Sequence, residues 1–407
     1  MKNELFVLDN QIQNYAWGSH TAIADLMGHT SPSEQPQAEL WMGAHPKAPS
    51  RLNVDGNSVT LGDWIAQDPE AILGEIVNTR YKGQLPFLFK VLASAQPLSI
   101  QVHPNRQQAA EGFAREEAAG IPFDALHRNY RDTHHKPELI VALGPFWALQ
   151  GFREASDIQH RLNELQLTSV GLQLETFLME MDSEEAALKA LFTYLMQLPE
   201  KQQKAVVTKA CQNAAPLADK IFTYQWVLRL QEFYPGDIGV LSPLLFNLVQ
   251  LRAGEAIYQH SGQIHAYLEG VGIEIMANSD NVLRAGLTQK HIDLEELLKI
   301  ANFNPTNTSR IQQRRISPQE SVYMAPAPEF VLYRGHLDGN QPFLSATQRS
   351  IEILLCIEGS GTITNTKTSN QIQLKSGTCV LIPASLRQYQ IEGDLAYFRA
   401  AVPLTSG

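Results

Sequence analysis

Hydrophobic and polar positions along the chain indicate strands in its first third and helices in its middle. Leu85–Leu92 and Leu98–His103 show the β-type pattern, whereas Thr60–Val77 has helical spacing that the Asp68-Pro69 pair interrupts. We therefore predict mostly short strands and loops over the first 150 residues, with one broken helical stretch.

The pattern becomes helical from about Arg153. Asp182-x-x-Glu185 has the spacing of a capping box, which begins a helix, and Pro199 ends the run that follows. A second amphipathic stretch ends at Tyr234-Pro235-Gly236, so we expect a helical block over about 153–250. The apolar positions of these two stretches are Leu188, Leu191, Leu195 and Leu198, and then Leu217, Ile221, Tyr224 and Leu228.

Strand patterns return at Gly254–Met276 and again from about Glu329 to the end of the chain. Gly-containing turns such as Gly359-Ser360-Gly361 separate short alternating segments in this tail, which is typical of a sandwich or jelly roll. The polar, strand-poor stretch Asn304–Ser317 is interpreted as a linker. The chain is thus predicted to be mainly β, with an α-helical insert and a C-terminal jelly roll.

Composition then narrows the class of protein. Hydrophobic residues make up 44% and charged residues 18%, which excludes a disordered chain, a coiled coil and a collagen. The formal charge of −10, without a basic block, argues against a nucleic acid or an anionic membrane as partner. Three scattered cysteines do not form a disulfide framework, and no apolar run has the length of a membrane span or signal peptide. A cytoplasmic protein is expected.

The segment Pro97–Pro104, PLSIQVHP, offers the first candidate ligands. If it is a strand, Ser99, Gln101 and His103 point to one face, because side chains alternate along a strand. A β-scaffold metal site needs such a Gln/His pair. An exposed polar strand face is the alternative interpretation.

Two further segments carry titratable groups. His134-His135-Lys136-Pro137-Glu138 is a dense cluster ahead of an apolar run, and a surface turn is its alternative interpretation. Gly262–Tyr267 contains His265, which by itself would be a structural histidine. Taken together, two imidazoles and two oxygen ligands suit a divalent metal of the zinc class. The combined ligand set is Gln101, His103, Glu138 and His265.

The metal site would keep a net positive charge, because Glu138 is its only ionised ligand; such a site serves catalysis more than structure. Downstream, Arg284 and Lys290 bracket a Gly-containing stretch that we predict to be a loop, with Arg284 at its lip. Forked donors from Arg and a point charge from Lys are suited to holding a phosphate. A solvated basic loop is the alternative.

Seven segments now fall into one order and spacing, of which LSIQ-x-HP and SDN-V-x-RAGLT-x-K are the most specific. They are Tyr15-Ala16-Trp17-Gly18, AELWMG at 38–43, LSIQVHP at 98–104, HKPE at 135–138, Tyr234-Pro235-Gly236-Asp237, GQIHAYLEG at 262–270 and SDNVLRAGLTQK at 279–290. Along essentially its whole length the chain resembles the type I mannose-6-phosphate isomerases, also called phosphomannose isomerases.

The resemblance implies an isomerase that interconverts mannose 6-phosphate and fructose 6-phosphate, with one zinc ion per chain on the four ligands named above. It also implies a cupin-like catalytic β-domain, a helical domain and a C-terminal cupin-like jelly roll. The C-terminal domain has no His-x-His motif after His336, so we expect it to be free of metal. The predicted domain ranges are 1–152 with 251–318, then 153–250, and finally 319–407.

The resemblance places the active-site arginine of the family on Arg284, where we expect it to stabilise an enediolate. Either Lys136 or Glu274 is the proton shuttle, since a lysine base needs a lowered pKa and a buried glutamate base a raised one. Candidates for the phosphate are Ser99 with Lys90 or Lys290. The remaining pocket residues are Glu39 and Asp280, and Asp280 with His135 is the candidate pair for opening the sugar ring.

Two rival functions remain open from the sequence. A metal-dependent cupin oxygenase would use similar ligands, but the cations at 284–290 would then have no purpose. A non-catalytic carbohydrate-binding cupin would leave the charged cluster at 134–138 unused. A bifunctional isomerase/guanylyltransferase is disfavoured, because no Gly-rich nucleotide loop lies near the N-terminus. The expected partner is a small sugar phosphate, with neither nucleic acid nor membrane, and the expected oligomeric state is a monomer.

Overall fold

The structure is a computed structural model that describes residues 3–404. Its strands form two large antiparallel sheets, and a block of helices is inserted between two strands of the first sheet. This confirms the predicted fold class, mainly β with a helical insert.

The elements up to residue 152 contain the predicted strands and the broken helix. The strands are β1 (Phe6–Val7), β2 (Gln11–Gln13), β3 (Glu39–Gly43), β4 (Arg51–Val54), β5 (Asn57–Thr60), β6 (Phe87–Ser94), β7 (Ile100–Val102), β8 (Glu138–Ala142) and β9 (Phe146–Phe152). The helices are α1 (Ala22–Met27), α2 (Leu61–Gln67), α3 (Pro69–Leu73), α4 (Glu75–Tyr81) and α5 (Arg106–Ala118).

The helical insert lies between β9 and the next strand, β10. Its helices are α6 (Ala155–Glu164), α7 (Thr168–Glu180), α8 (Glu184–Gln197), α9 (Glu200–Ala214), α10 (Phe222–Phe233) and α11 (Ser242–Leu245). The predicted capping box is displaced by one residue: Ser183, not Asp182, is the N-cap of α8, and its Oγ accepts from the N–H of Ala186. The sequence pattern had marked two helical stretches of this block.

The chain then returns to strands, and the stretch interpreted as a linker contributes to both sheets. The elements are β10 (Phe246–Leu251), β11 (Ala256–Gln259), β12 (His265–Ala277), β13 (Leu283–Gly286), α12 (Leu294–Ile300), β14 (Arg310–Ile311) and β15 (Gln313–Arg315). The prediction of a strand-poor linker was therefore wrong: β14 pairs with β11, whereas β15 pairs with the first strand of the C-terminal region.

The C-terminal region supplies most of the second sheet. Its strands are β16 (Glu320–Tyr323), β17 (Val331–Asp338), β18 (Phe343–Leu344), β19 (Glu352–Asn365), β20 (Gln371–Lys375), β21 (Cys379–Ile382) and β22 (Tyr389–Ala401). The N-terminal β1 completes this sheet by pairing with β21. A shared apolar core joins the two sheets, with Val141 and Ile275 from the first packed in one cluster with Ile353 and Phe398 from the second.

Strand β12 is the element that assembles the site. Its first part pairs with β7 and β9, and its later part pairs with β6 and β8. Gly270 lies between these parts with φ of 130°, and a Cβ there would meet the backbone of Phe146 at 2.8 Å, so only glycine fits. One strand can therefore carry His265 into one half of the sheet and Glu274 into the other.

Candidate functional site

A cleft of about 60 Å³ opens in the first sheet. Its polar walls combine residues that are far apart in the sequence but adjacent across the strands β3, β6, β7, β8 and β12. The polar and charged residues that line it, all of them predicted from the sequence except Tyr267, are Glu39, Lys90, Ser99, Gln101, Lys136, Glu138, His265, Tyr267 and Glu274.

Three buried side chains form a candidate metal centre at this cleft. Ligand atoms of His103, Glu138 and His265 all lie within 4.8 Å of one another. The Nε2 atoms of His103 and His265 each lie 3.3 Å from a different carboxylate oxygen of Glu138. Two imidazole nitrogens and a carboxylate are typical ligands of catalytic zinc.

The far side of each imidazole is held by the backbone. His103 Nδ1 is 2.8 Å from the carbonyl of Asn281, and His265 Nδ1 is 3.0 Å from that of Gln263. A carbonyl can only accept, so Nδ1 carries the proton in both rings and Nε2 presents its lone pair to the centre. Within residues 3–404, His103 Nε2 is buried without a hydrogen-bond partner. The donor set therefore fits a bound zinc ion.

The electrostatics of the centre keep its ligands in the binding form. Burial, followed by the charge of Lys136, lowers the pKa of His103 to about 4. Burial would raise the pKa of Glu138, but Lys136 and His103 outweigh it and hold that pKa well below the usual value. At neutral pH both groups are deprotonated, as a metal requires.

Strand register places Gln101 and Arg284 beside the centre. Gln101 of β7 is opposite His265 of β12 and also opposite Arg284 of β13. Directly opposed residues of antiparallel strands share a face, so the three side chains form one row across three strands. The expectation that Arg284 lies on a loop was wrong: it lies within β13, which pairs with β7.

The other wall of the cleft is a buried ion cluster. Lys90 Nζ lies 3.0 Å from Glu274 and 3.5 Å from Glu39, and the indole N–H of Trp41 donates to Glu39. Burial would lower the pKa of Lys90, but the carboxylates of Glu274 and Glu39 outweigh it and raise that pKa. Burial raises the pKa of Glu274 despite the opposing effect of Lys90. Lys90 therefore stays protonated, and its charge is balanced by two carboxylates.

Three cations near the cleft lack this kind of compensation. Burial, then the neighbouring charge of Arg131, lowers the pKa of Arg284; burial, then Arg284 and Arg131, lowers that of Lys290. Among the described residues, no carboxylate lies within ion-pair distance of Arg131, Arg284 or Lys290. Cations that repel one another in a partly buried place favour an anionic ligand.

The proposed ring-opening pair is not joined by any contact in the described chain. His135 Nε2 lies 2.9 Å from Glu329, a residue of the loop between β16 and β17, and near Arg106. Asp280 instead pairs with Lys47 at 2.7 Å. Glu329 therefore brings the C-terminal region into contact with the segment next to the cleft.

Comparisons with known proteins find one family along nearly the whole chain. Residues 5–155 match the catalytic domain of type I phosphomannose isomerase, 166–246 its helical insertion domain, and 320–402 the cupin domain of mannose-6-phosphate isomerase. The chain is 44% identical over 393 residues to mannose-6-phosphate isomerase of Escherichia coli, covering 95% of this chain and 96% of that protein. The chain belongs to the type I phosphomannose isomerase family.

More distant relatives and solved structures of the family extend the match. Human mannose-6-phosphate isomerase is 34% identical over 436 residues, covering 97% of this chain and 98% of that protein. A Salmonella typhimurium mannose 6-phosphate isomerase bound to fructose 6-phosphate and zinc superposes with a TM-score of 0.89 at 40% identity, covering 98% and 99% of the two chains. A mutant of the Salmonella phosphomannose isomerase gives 0.91 at 39% identity, with the same coverage.

Three residues of this phosphomannose isomerase site were missed from the sequence. Tyr267 lines the cleft, and its buried hydroxyl has no hydrogen-bond partner within residues 3–404. Asn281 supports His103 through its carbonyl, while its side-chain oxygen accepts from the N–H of Arg131 at 2.7 Å. The alternation around His265 marks Tyr267, two residues on, as a side chain of the same strand face. Arg131 had no signal of its own, because only the fold of its loop brings it near Arg284.

Proposed function

We propose that the chain is a zinc-dependent aldose–ketose isomerase that interconverts mannose 6-phosphate and fructose 6-phosphate through an enediol. The buried cluster of His103, Glu138 and His265, at a cleft lined by further charged side chains, is the observation that carries this proposal. Gln101 is proposed as the fourth ligand, since it is opposite His265 in register. When bound, zinc supplies Lewis acidity toward the substrate oxygens.

Glu274 is proposed as the group that moves the carbon-bound proton. It is 2% exposed, and burial raises its pKa, which makes its carboxylate a stronger base than a solvated one. In this scheme Glu274 takes the proton from C2 of the open-chain aldose and returns it to C1. Lys90, 3.0 Å away, keeps the carboxylate ionised between turnovers.

Lys136 is proposed to serve the substrate oxygens. Its ammonium contacts Glu138 and lines the same cleft as Glu274. During the reaction one proton is gained at O1 and one is lost from O2, and Lys136 is the donor and acceptor proposed for this exchange. Arg284, in the same row as Gln101, is proposed to stabilise the negative charge of the enediolate.

The phosphate is proposed to lie at the outer end of the cleft, against Lys290 and Arg131, with Ser99 as a hydroxyl donor. Support comes from Lys290, whose pKa is lowered by burial and then by the charges of Arg284 and Arg131, a repulsion that an anion would relieve. Lys90 is excluded from this role in our proposal, because its charge is already matched by two carboxylates.

We also propose the domain division given by the sequence, with the helical part at 153–250, which the position of α6–α11 between β9 and β10 supports. A cytoplasmic location is proposed because all three cysteines are free thiols, and a monomer is proposed as the working form. None of the described helices has the length and apolarity required to cross a bilayer.

The test is an assay of purified protein with mannose 6-phosphate and coupled detection of fructose 6-phosphate, alongside elemental analysis. Zinc at one ion per chain and turnover lost on chelation are the expected results. Oxygen consumption with bound iron would instead support the oxygenase, and sugar phosphate binding without turnover would support the non-catalytic binding protein.

A further inference from the structure

The C-terminal β-sheet contains a second cavity, of about 370 Å³, which is larger than the catalytic cleft. Alternate residues of β22 face the interior of this domain, where Ile391, Leu395 and Tyr397 belong to an apolar cluster. Arg399 lies further along the same face of β22, and it lines the cavity. Volumes of about 300–1,000 Å³ are typical of small-molecule sites.

Two glutamates and two arginines line this cavity, which we call the C-terminal cavity. Arg399 donates to Glu320 at 3.0 and 2.6 Å and to Glu352 at 2.5 Å. Both glutamates are buried, with 3% and 2% exposure. Buried ion pairs of this kind are not needed for stability, since apolar residues of similar volume often serve as well.

Arg349 has a buried donor that the protein itself leaves unused. Its Nη2 donates to the carbonyl of Pro383 at 2.8 Å, and its Nη1 lies 3.6 Å from Glu352. Its Nε is buried and has no partner within residues 3–404, although the side chain is only 4% exposed. A buried N–H without a partner costs about 1–3 kcal/mol, and a ligand oxygen would remove that cost.

The charge balance indicates the chemical class of the ligand. The charges of Arg349 and Arg399 cancel those of Glu320 and Glu352, and all four side chains are buried, so an added anion would have no counterion among the residues that line the cavity. The lining offers carboxylate oxygens from Glu320 and Glu352 and, from Arg349, an N–H that has no partner within residues 3–404. A hydroxyl group can donate to a carboxylate oxygen and accept from such an N–H. Tyr333 and Phe343 supply an apolar wall.

We propose that the C-terminal cavity binds a small uncharged polyhydroxy compound of monosaccharide size. The site is built from β16, β17, β19 and β22 of the second sheet and shares no residue with the catalytic cleft. Binding there is independent of the proposed isomerase function, so the two can be tested apart.

The test is calorimetric titration of the full-length protein with D-mannose, D-fructose and D-mannitol, with inorganic phosphate as the charged comparison, followed by crystal soaks with the same compounds. We expect one-to-one binding of at least one polyol and its electron density beside Arg349 Nε. The absence of a titration signal with every polyol, an empty C-terminal cavity in every soaked crystal, or electron density for phosphate in place of a polyol in that cavity would overturn the proposal.

Two variants locate the binding. Ala346→Trp adds bulk at an exposed position that lines the cavity, and Arg349→Lys keeps the charge but removes Nε. Each should weaken polyol binding at least tenfold without changing isomerase turnover. Ala205→Trp, at an exposed position of α9, is the matched control and should bind normally. Equal binding by all three variants would place the ligand elsewhere and refute the site.

Discussion

Replacement of Arg284 by alanine is the sharpest test of the proposed chemistry. Arg284 and His265 lie on the two strands that flank β7, and each is directly opposite Gln101. Arg284 has no carboxylate partner among residues 3–404. If its hydrogen bonds strengthen as the enediolate forms, loss of this donor should reduce kcat by about 10²–10³, or roughly 3–4 kcal/mol, with little change in KM. Arg284→Lys keeps the charge but loses the planar fork, so it should recover only part of the rate.

The stability of the Arg284 variants can be predicted from the same contacts. Burial and Arg131 both lower the pKa of Arg284, so its charge is disfavoured where it lies, and removal should not lower the thermal midpoint. A reduced rate would then reflect chemistry and not unfolding. Steady-state kinetics of both variants, with thermal melting as control, decide the matter. A large increase in KM at unchanged kcat, restored by lysine, would mean that Arg284 holds the phosphate and would refute our assignment.

Four other outcomes follow from the site and the core. His265→Ala should lose both metal and turnover while keeping most of the fold, checked by elemental analysis and circular dichroism; full activity in the metal-free variant would contradict the zinc assignment. Because burial raises the pKa of Glu274, kcat/KM should fall as pH drops through a value above 4.5, and an acid limb that persists in a partly active Glu274→Gln would exclude Glu274 as its source. Lys290→Ala should raise KM more than it lowers kcat, and the opposite pattern in steady-state kinetics would remove Lys290 from the phosphate site. Deletion from Glu329 onward should expose the core shared by the two sheets and cause aggregation, unless a soluble truncated enzyme with a normal thermal midpoint is obtained.

Much of this architecture was predictable from local patterns. The β-type pattern of Leu85–Leu92 indicated β6, and the Asp68-Pro69 pair correctly divided a helical stretch into α2 and α3. These features depend on residues within a few positions of each other, where periodicity and capping act. The limits of that information are visible at α8, whose cap is displaced by one residue, and at β14 and β15, whose short strands are stabilised by partners far away in the chain.

The sequence by itself determined which kinds of side chain the site contains, because the residue types of the family segments and the spacing between them are properties of the sequence alone. Only the tertiary structure decided which charges are free. From the sequence, Lys90 and Lys290 were equal candidates for holding the phosphate. In the structure, Lys90 lies between Glu39 and Glu274, whereas Lys290 lies near two arginines. The physical reason is that a charge is tuned by burial and by neighbours within a few ångströms, and strand pairing sets those neighbours.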